Sequence, residues 1–177
     1  PDDNPFPATV IGLADVGEKV HREVGKHVEV YDYIIIDCPP AVESTATQSA
    51  LMVSDLVVIP IIPSPTDLWA AAGIRKLIEN VRDTINETLD ARLVPNMVQP
   101  NTMITRDVLE LLAGFGIELL GSQLRLRTAY RQAAAFGAVV GSLGSDAREA
   151  AEEINGLTER VLQLLNGRVQ TRKTKQN

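Results

Sequence analysis

Five short, nearly continuous runs of apolar residues punctuate the chain, at 9–14, 33–37, 56–62, 91–94 and 117–124, and a helix-like pattern follows each. Unbroken Val, Ile and Leu, in place of strict apolar–polar alternation, is the signature of a strand buried on both faces by helices. Strand and helix in repeated alternation imply right-handed crossovers and hence a mainly parallel sheet with helices on both faces, an α/β fold. At 177 residues and 45% hydrophobic content the chain can bury one sizeable core.

The clearest helix follows Ser64, where Ser-Pro-Thr-Asp supplies a hydroxyl cap, a proline at the first helical position and an acid at the third. Ala71, Ile74, Ile78, Val81 and Ile85 then recur at spacings of three and four, marking one buried face. A second helix is expected over 147–165, with Asp146 and Glu149 as its capping pair and Ala150, Ile154, Leu157, Val161 and Leu164 as its stripe. Weaker helical patterns fall at 15–27, 43–54, 102–114 and 127–136.

Several function classes drop out on composition. No apolar run approaches the roughly 20 residues of a membrane-spanning helix. The opening from Pro1 is acidic and proline-rich, unlike a secretory leader, so a cytoplasmic setting is expected. Cys38 is the single cysteine, which excludes an intrachain disulfide and a cysteine-built cluster within one chain. His21 and His27 do not share a helical face and read as surface residues. The net charge of −6 argues against a uniformly basic nucleic-acid binder. The last ten residues differ, carrying Arg168, Arg172, Lys173 and Lys175 and no acid.

The segment YDYIIIDCPP, 31–40, joins three isoleucines to an acid and two prolines. In a parallel sheet, ligands bind outside the carboxyl ends of the strands. The isoleucines would anchor a strand there, and Pro39 and Pro40 remove two backbone donors and stop the ladder. Asp37, so placed, suits indirect coordination of Mg²⁺ through water beside a nucleotide phosphate. A turn-forming aspartate with no ligand fits the local pattern equally well.

YDYIIIDCPP, the following ALMVSDLVVIPIIPSPTDLWAAAGIRKLIE, the strand ARLVPNMV and the later RLRTAYRQAAAFGAVV stand in an order and spacing that resemble the ParA/MinD-type P-loop ATPases. The resemblance runs from about residue 5 to 165 and is strongest to the ParA partition and cargo-positioning branch. It implies a P-loop NTPase-like α/β fold occupying 1–167, with 168–177 as a basic, flexible tail. It further implies a deviant Walker ATPase using ATP and Mg²⁺, which forms a nucleotide-sandwich homodimer, binds non-specific DNA and hydrolyses ATP when a ParB-like or other cargo adaptor stimulates it. Asp37 matches the family's switch II acid, which holds the Mg²⁺ shell, and Pro39 and Pro40 match its switch II prolines. Asn96 falls where family members place an asparagine against adenine, a role suited to an amide that both donates and accepts. Leu124, Arg125, Leu126 and Arg127 fall where the family often shows Ile-Pro-Arg beside the base. The sequence departs there, since Arg125 replaces the usual proline and Leu126 the usual arginine.

These 177 residues contain no G-x-x-x-x-G-K-[ST] motif, and the second acidic motif that would position the attacking water is also lacking. In the family both precede the point where this sequence starts, so the expectation is the C-terminal part of a longer ATPase. Candidates for electrostatic DNA contact are Arg131, Arg148, Arg160, Arg168, Arg172, Lys173 and Lys175. After Val169 the tail has no apolar side chain to insert into a bilayer, so no membrane partner is expected. The implied function is nucleoid-associated positioning of a plasmid, chromosome or protein organelle such as a carboxysome. The alternative is a non-enzymatic DNA- or partner-binding module of the same fold without a phosphate site.

Overall fold

In the computed structural model, which describes residues 8–100 and 103–175, the apolar runs part into two groups: those from 56 onward build a sheet, and the first two do not. The chain divides accordingly into two units, Pro1–Val53 and Ser54–Asn177.

The first unit holds two short helices, α1 (Val20–Gly25) and α2 (Thr45–Leu51). Val20, Val24 and Ala50 form its small core, with Leu13, Val16, Ile36 and Ala46 packed against it. The runs 9–14 and 33–37, expected as strands, form no ladder. Of the three isoleucines only Ile36 reaches the core, and Ile35 is 94% exposed. The physical reason is that a strand is a paired object: β-branched side chains favour the extended backbone, but only a neighbouring edge satisfies its N–H and C=O groups. No described segment of this unit supplies such an edge.

The second unit contains β1 (Leu56–Ile61), α3 (Pro65–Thr84), β2 (Asp90–Pro95), α4 (Met103–Ala113), β3 (Glu118–Leu119), α5 (Thr128–Phe136) and α6 (Arg148–Lys175). The strands lie in the order β1-β2-β3, all parallel, with Leu56 opposite Asp90, Ile61 opposite Pro95 and Leu93 opposite Leu119. This is the expected P-loop NTPase-like α/β arrangement of a parallel sheet with helices around it. Central β2 is buried on both faces: Ala91, Leu93 and Val94 are each at most 2% exposed, and Arg92 is enclosed by ion pairs to Asp90 and Glu118.

The helix after Ser64 forms as its cap predicts. The Ser64 hydroxyl accepts from the Asp67 N–H at 3.2 Å and donates to the Asp67 carboxylate. Ala71, Ile78 and Val81 of its stripe are buried, whereas Ile85 lies just past the last turn and is exposed. The run 117–124 yields only the two residues of β3, because Gly121 takes a left-handed φ of 78° and turns the chain out of the sheet. The last helix continues well past 165, to Lys175.

Candidate functional site

Three parallel strands put their carboxyl ends on one edge, and hydrogen bonds stitch the segments leaving that edge together. Asn96 donates its N–H to the Ile61 carbonyl at 2.8 Å, joining the ends of β1 and β2. Leu124 donates to Pro95 O at 2.9 Å, Val98 to Leu124 O at 3.0 Å and Leu126 to Val98 O at 3.0 Å. Asn96 and the stretch 124–127, far apart in sequence, are thereby neighbours. Between them Met97 adopts a left-handed φ of 51°, which an ordinary side chain tolerates only when the surroundings hold it. The Asn96 Oδ1 supplies part of that hold by accepting from the Met97 N–H at 2.9 Å.

Alternate residues of 124–127 face opposite ways. Leu124 and Leu126 use their amides on the 95–98 side, while the Arg125 N–H points to α6 and donates to Glu153 at 3.0 Å. Arg127 grips the same carboxylate through Nε and Nη2, at 2.9 and 2.7 Å, and Tyr130 donates its hydroxyl at 2.9 Å. Burial acts to raise the Glu153 pKa, but these donors outweigh it and hold the carboxyl below its ordinary value. Its own burial, and then its hydrogen bond to Glu153, push the Tyr130 phenol far above its ordinary value, so it remains a donor. Glu149, expected as a capping partner, pairs with Arg127 at 2.6 Å from a largely exposed position. Beside this cluster lies an open depression of about 530 Å³, lined among others by Leu126, Arg127, Gln132, Asp146 and Glu149.

Glu153 and Tyr130 were not singled out by the sequence. The available signal was an acid pair one helical turn apart on the predicted last helix, opposite an arginine-rich loop.

Asp37, Pro39 and Pro40 lie in the first unit, all exposed, on an irregular segment. The neighbouring Cys38 thiol sits 3.9 Å from the Ile36 carbonyl oxygen, and partial burial, then the Asp37 charge, raise its pKa. Among the described residues no group of three or more His, Cys, Asp or Glu side chains is placed to enclose a metal. One exposed carboxylate does fit a Mg²⁺ ion held chiefly by water and phosphate oxygens.

Of the candidate DNA contacts, Arg131 is exposed on α5, Arg148 pairs with Glu152 at 2.9 Å, and exposed Arg160 donates to Gln163 at 3.3 Å. The side chains of Arg168, Arg172, Lys173 and Lys175 lie outside the described residues. No described helix is long and apolar enough to cross a membrane.

Comparison with known proteins places the chain among relatives. A family model described as an AAA domain matches residues 10–93. The chain is similar to maintenance of carboxysome distribution protein A of Halothiobacillus neapolitanus, 36% identical over 132 residues that make up 75% of this chain and 61% of that protein. It is similar also to a ParA family protein of Mycoplasma pneumoniae, at 34% identity over 46% of this chain and 30% of the relative. The sporulation initiation inhibitor protein Soj of Bacillus subtilis matches at 46% identity over 29% of this chain and 19% of Soj. The chain thus spans less than two thirds of each of these relatives. Together with the parallel sheet, these matches make the chain a relative of the ParA-type P-loop ATPases.

Proposed function

We propose that the full-length protein is a ParA-like ATPase that dimerises with ATP, binds non-specific DNA in the cytoplasm over the nucleoid and positions a cargo. The observation that carries this reading is the junction at the sheet's carboxyl edge, where the Asn96 turn and 124–127 meet by three backbone hydrogen bonds. An edge of this kind, with a polar amide beside a short loop, suits the flat face and polar rim of a nucleotide base. The similarity to a carboxysome distribution protein favours a protein organelle as cargo over a plasmid or chromosome. A homodimer and an ATPase-activating adaptor are the partners this reading requires.

In this reading Asn96 and 124–127 border the base. Asp37 orients the water shell of Mg²⁺, which when bound would neutralise phosphate charge. Pro39 and Pro40 stiffen the segment that carries Asp37, so a change at the phosphate moves that segment as a unit.

The test is ATP turnover by the full-length protein with and without DNA. Turnover that rises with DNA and a cargo adaptor, together with an ATP-dependent dimer, is expected. Asp37→Asn should lower turnover by about a hundredfold, the scale on which removal of one charge-stabilising group acts. Absence of turnover and of ATP-dependent dimerisation would leave the DNA- or partner-binding module as the reading.

A further inference from the structure

The stretch 124–127 is held from two sides by different means. Toward 95–98 it is held by backbone hydrogen bonds, which any sequence can make. Toward α6 it is held chiefly by one largely buried side chain: Glu153 Oε2 accepts from the Arg125 N–H and the Tyr130 hydroxyl, and Oε1 from both Arg127 nitrogens. The carboxylate is only 15% exposed, so little water competes for those four bonds. Charge-assisted bonds to a fixed acceptor are about twice as strong as neutral ones and far more directional. Anything that bends 124–127 also shifts Val98, its partner on both sides of the ladder, and with it the Met97–Asn96 turn.

We infer that Glu153 is a positioning residue for base recognition: from α6, without touching nucleotide, it sets where 124–127 and the Asn96 turn stand. This rests on the reading of those segments as the base-bordering loops. The Arg125 N–H is among the donors that Glu153 grips, so the ionic clamp limits how far this loop can bend. Glu149 is the internal control. It meets the same Arg127, but it is 70% exposed, and exposed pairs contribute little.

Affinities of the full-length protein for Mg-ATP and Mg-GTP, measured side by side, test the inference, because a merely structural residue would weaken both alike. Glu153→Gln places an amide where four donors converge. It should lower ATP affinity about tenfold while GTP affinity changes little, so that the preference for ATP collapses. Tyr130→Phe, which keeps the ring and removes one donor, should shift the preference in the same direction by about two- to threefold. Glu149→Gln should leave it unchanged. In nucleotide-free protein, Glu153→Gln should also speed amide exchange at Val98 and Leu126 and spare Leu120, whose N–H bonds to Leu93 within the sheet.

A Glu153→Gln protein that is less heat-stable but keeps its ATP:GTP preference would overturn the inference and leave a structural role only. Should that variant not fold, an unchanged preference in Tyr130→Phe overturns it. Wild-type protein that binds ATP and GTP alike overturns it as well, since the loops would then read no base. Wild-type protein that binds neither nucleotide removes the proposed function and this inference together, whereas binding with an unaltered preference in the variants removes this inference alone.

Discussion

Glu153 is ionised at a site that costs it solvation, and the sign of that balance sets a pH dependence. Its folded pKa lies below its ordinary value of 4.5, so its contribution to stability is complete above about pH 5 and disappears as pH falls through the folded value. Urea unfolding of wild type and Glu153→Gln should therefore differ by about 2 kcal/mol at neutral pH, and the gap should close as pH falls below the ordinary carboxylate range. A gap that persists in acid would mean the substitution acts through packing instead of charge. A core position gives the contrast. Ile78 is fully buried in α3, and Ile78→Ala should cost about 2–5 kcal/mol at any pH, read as a lower urea midpoint with unchanged m-value. The two residues also differ in how far sequence reveals them. Ile78 follows from a three–four repeat along its own helix, a local pattern. Glu153 acquires its role from Arg125, Arg127 and Tyr130, 23 to 28 residues away, which no periodicity records.

At the scale of elements, capping and burial are legible where both causes are local. Ser64, Pro65 and Asp67 fix where α3 begins, and removal of the cap by Ser64→Ala should cost about 1 kcal/mol, seen as a lowered melting temperature with the helix otherwise intact. The apolar runs at 56–62 and 91–94 become β1 and β2 at nearly their expected limits. The runs at 9–14 and 33–37 do not become strands, although 33–37 carries more β-branched residues than 91–94. What separates the pairs is the ladder: β1 and β2 have each other, and the connection through α3 is long enough to return the chain in parallel. The run at 117–124 fails for a different reason, since a left-handed glycine at 121 ends it after two paired residues. Apolar patterning therefore reports which segments tend to extend. Pairing decides which of them form a sheet, and that is a property of the neighbour.

Across the whole molecule, charge separates the body from its last residues. The chain carries a net −6, yet 168–175 is basic, and α6 extends the backbone as helix through it to Lys175. Arg168, Arg172, Lys173 and Lys175 fall within eight residues that contain no acid. The overall charge of the chain hides this feature, since a net value averages a segment with a body of opposite sign. DNA attraction, if it belongs to this segment, has a measurable form. Each phosphate neutralised on duplex DNA releases counterions worth a slope of about −0.9 in log affinity against log salt. Deleting 168–177 from the full-length protein, in the ATP state, should lower the magnitude of that slope by about 3 and weaken binding most at low salt, with no preference among DNA sequences. The contacts of Arg131, Arg148 and Arg160 would account for a slope that survives the deletion: Arg148 already has an acid partner in Glu152, so Arg131→Ala and Arg160→Ala should each remove less than one unit. A slope unchanged by the deletion would place DNA binding elsewhere and reduce the basic segment to a solvated helix end.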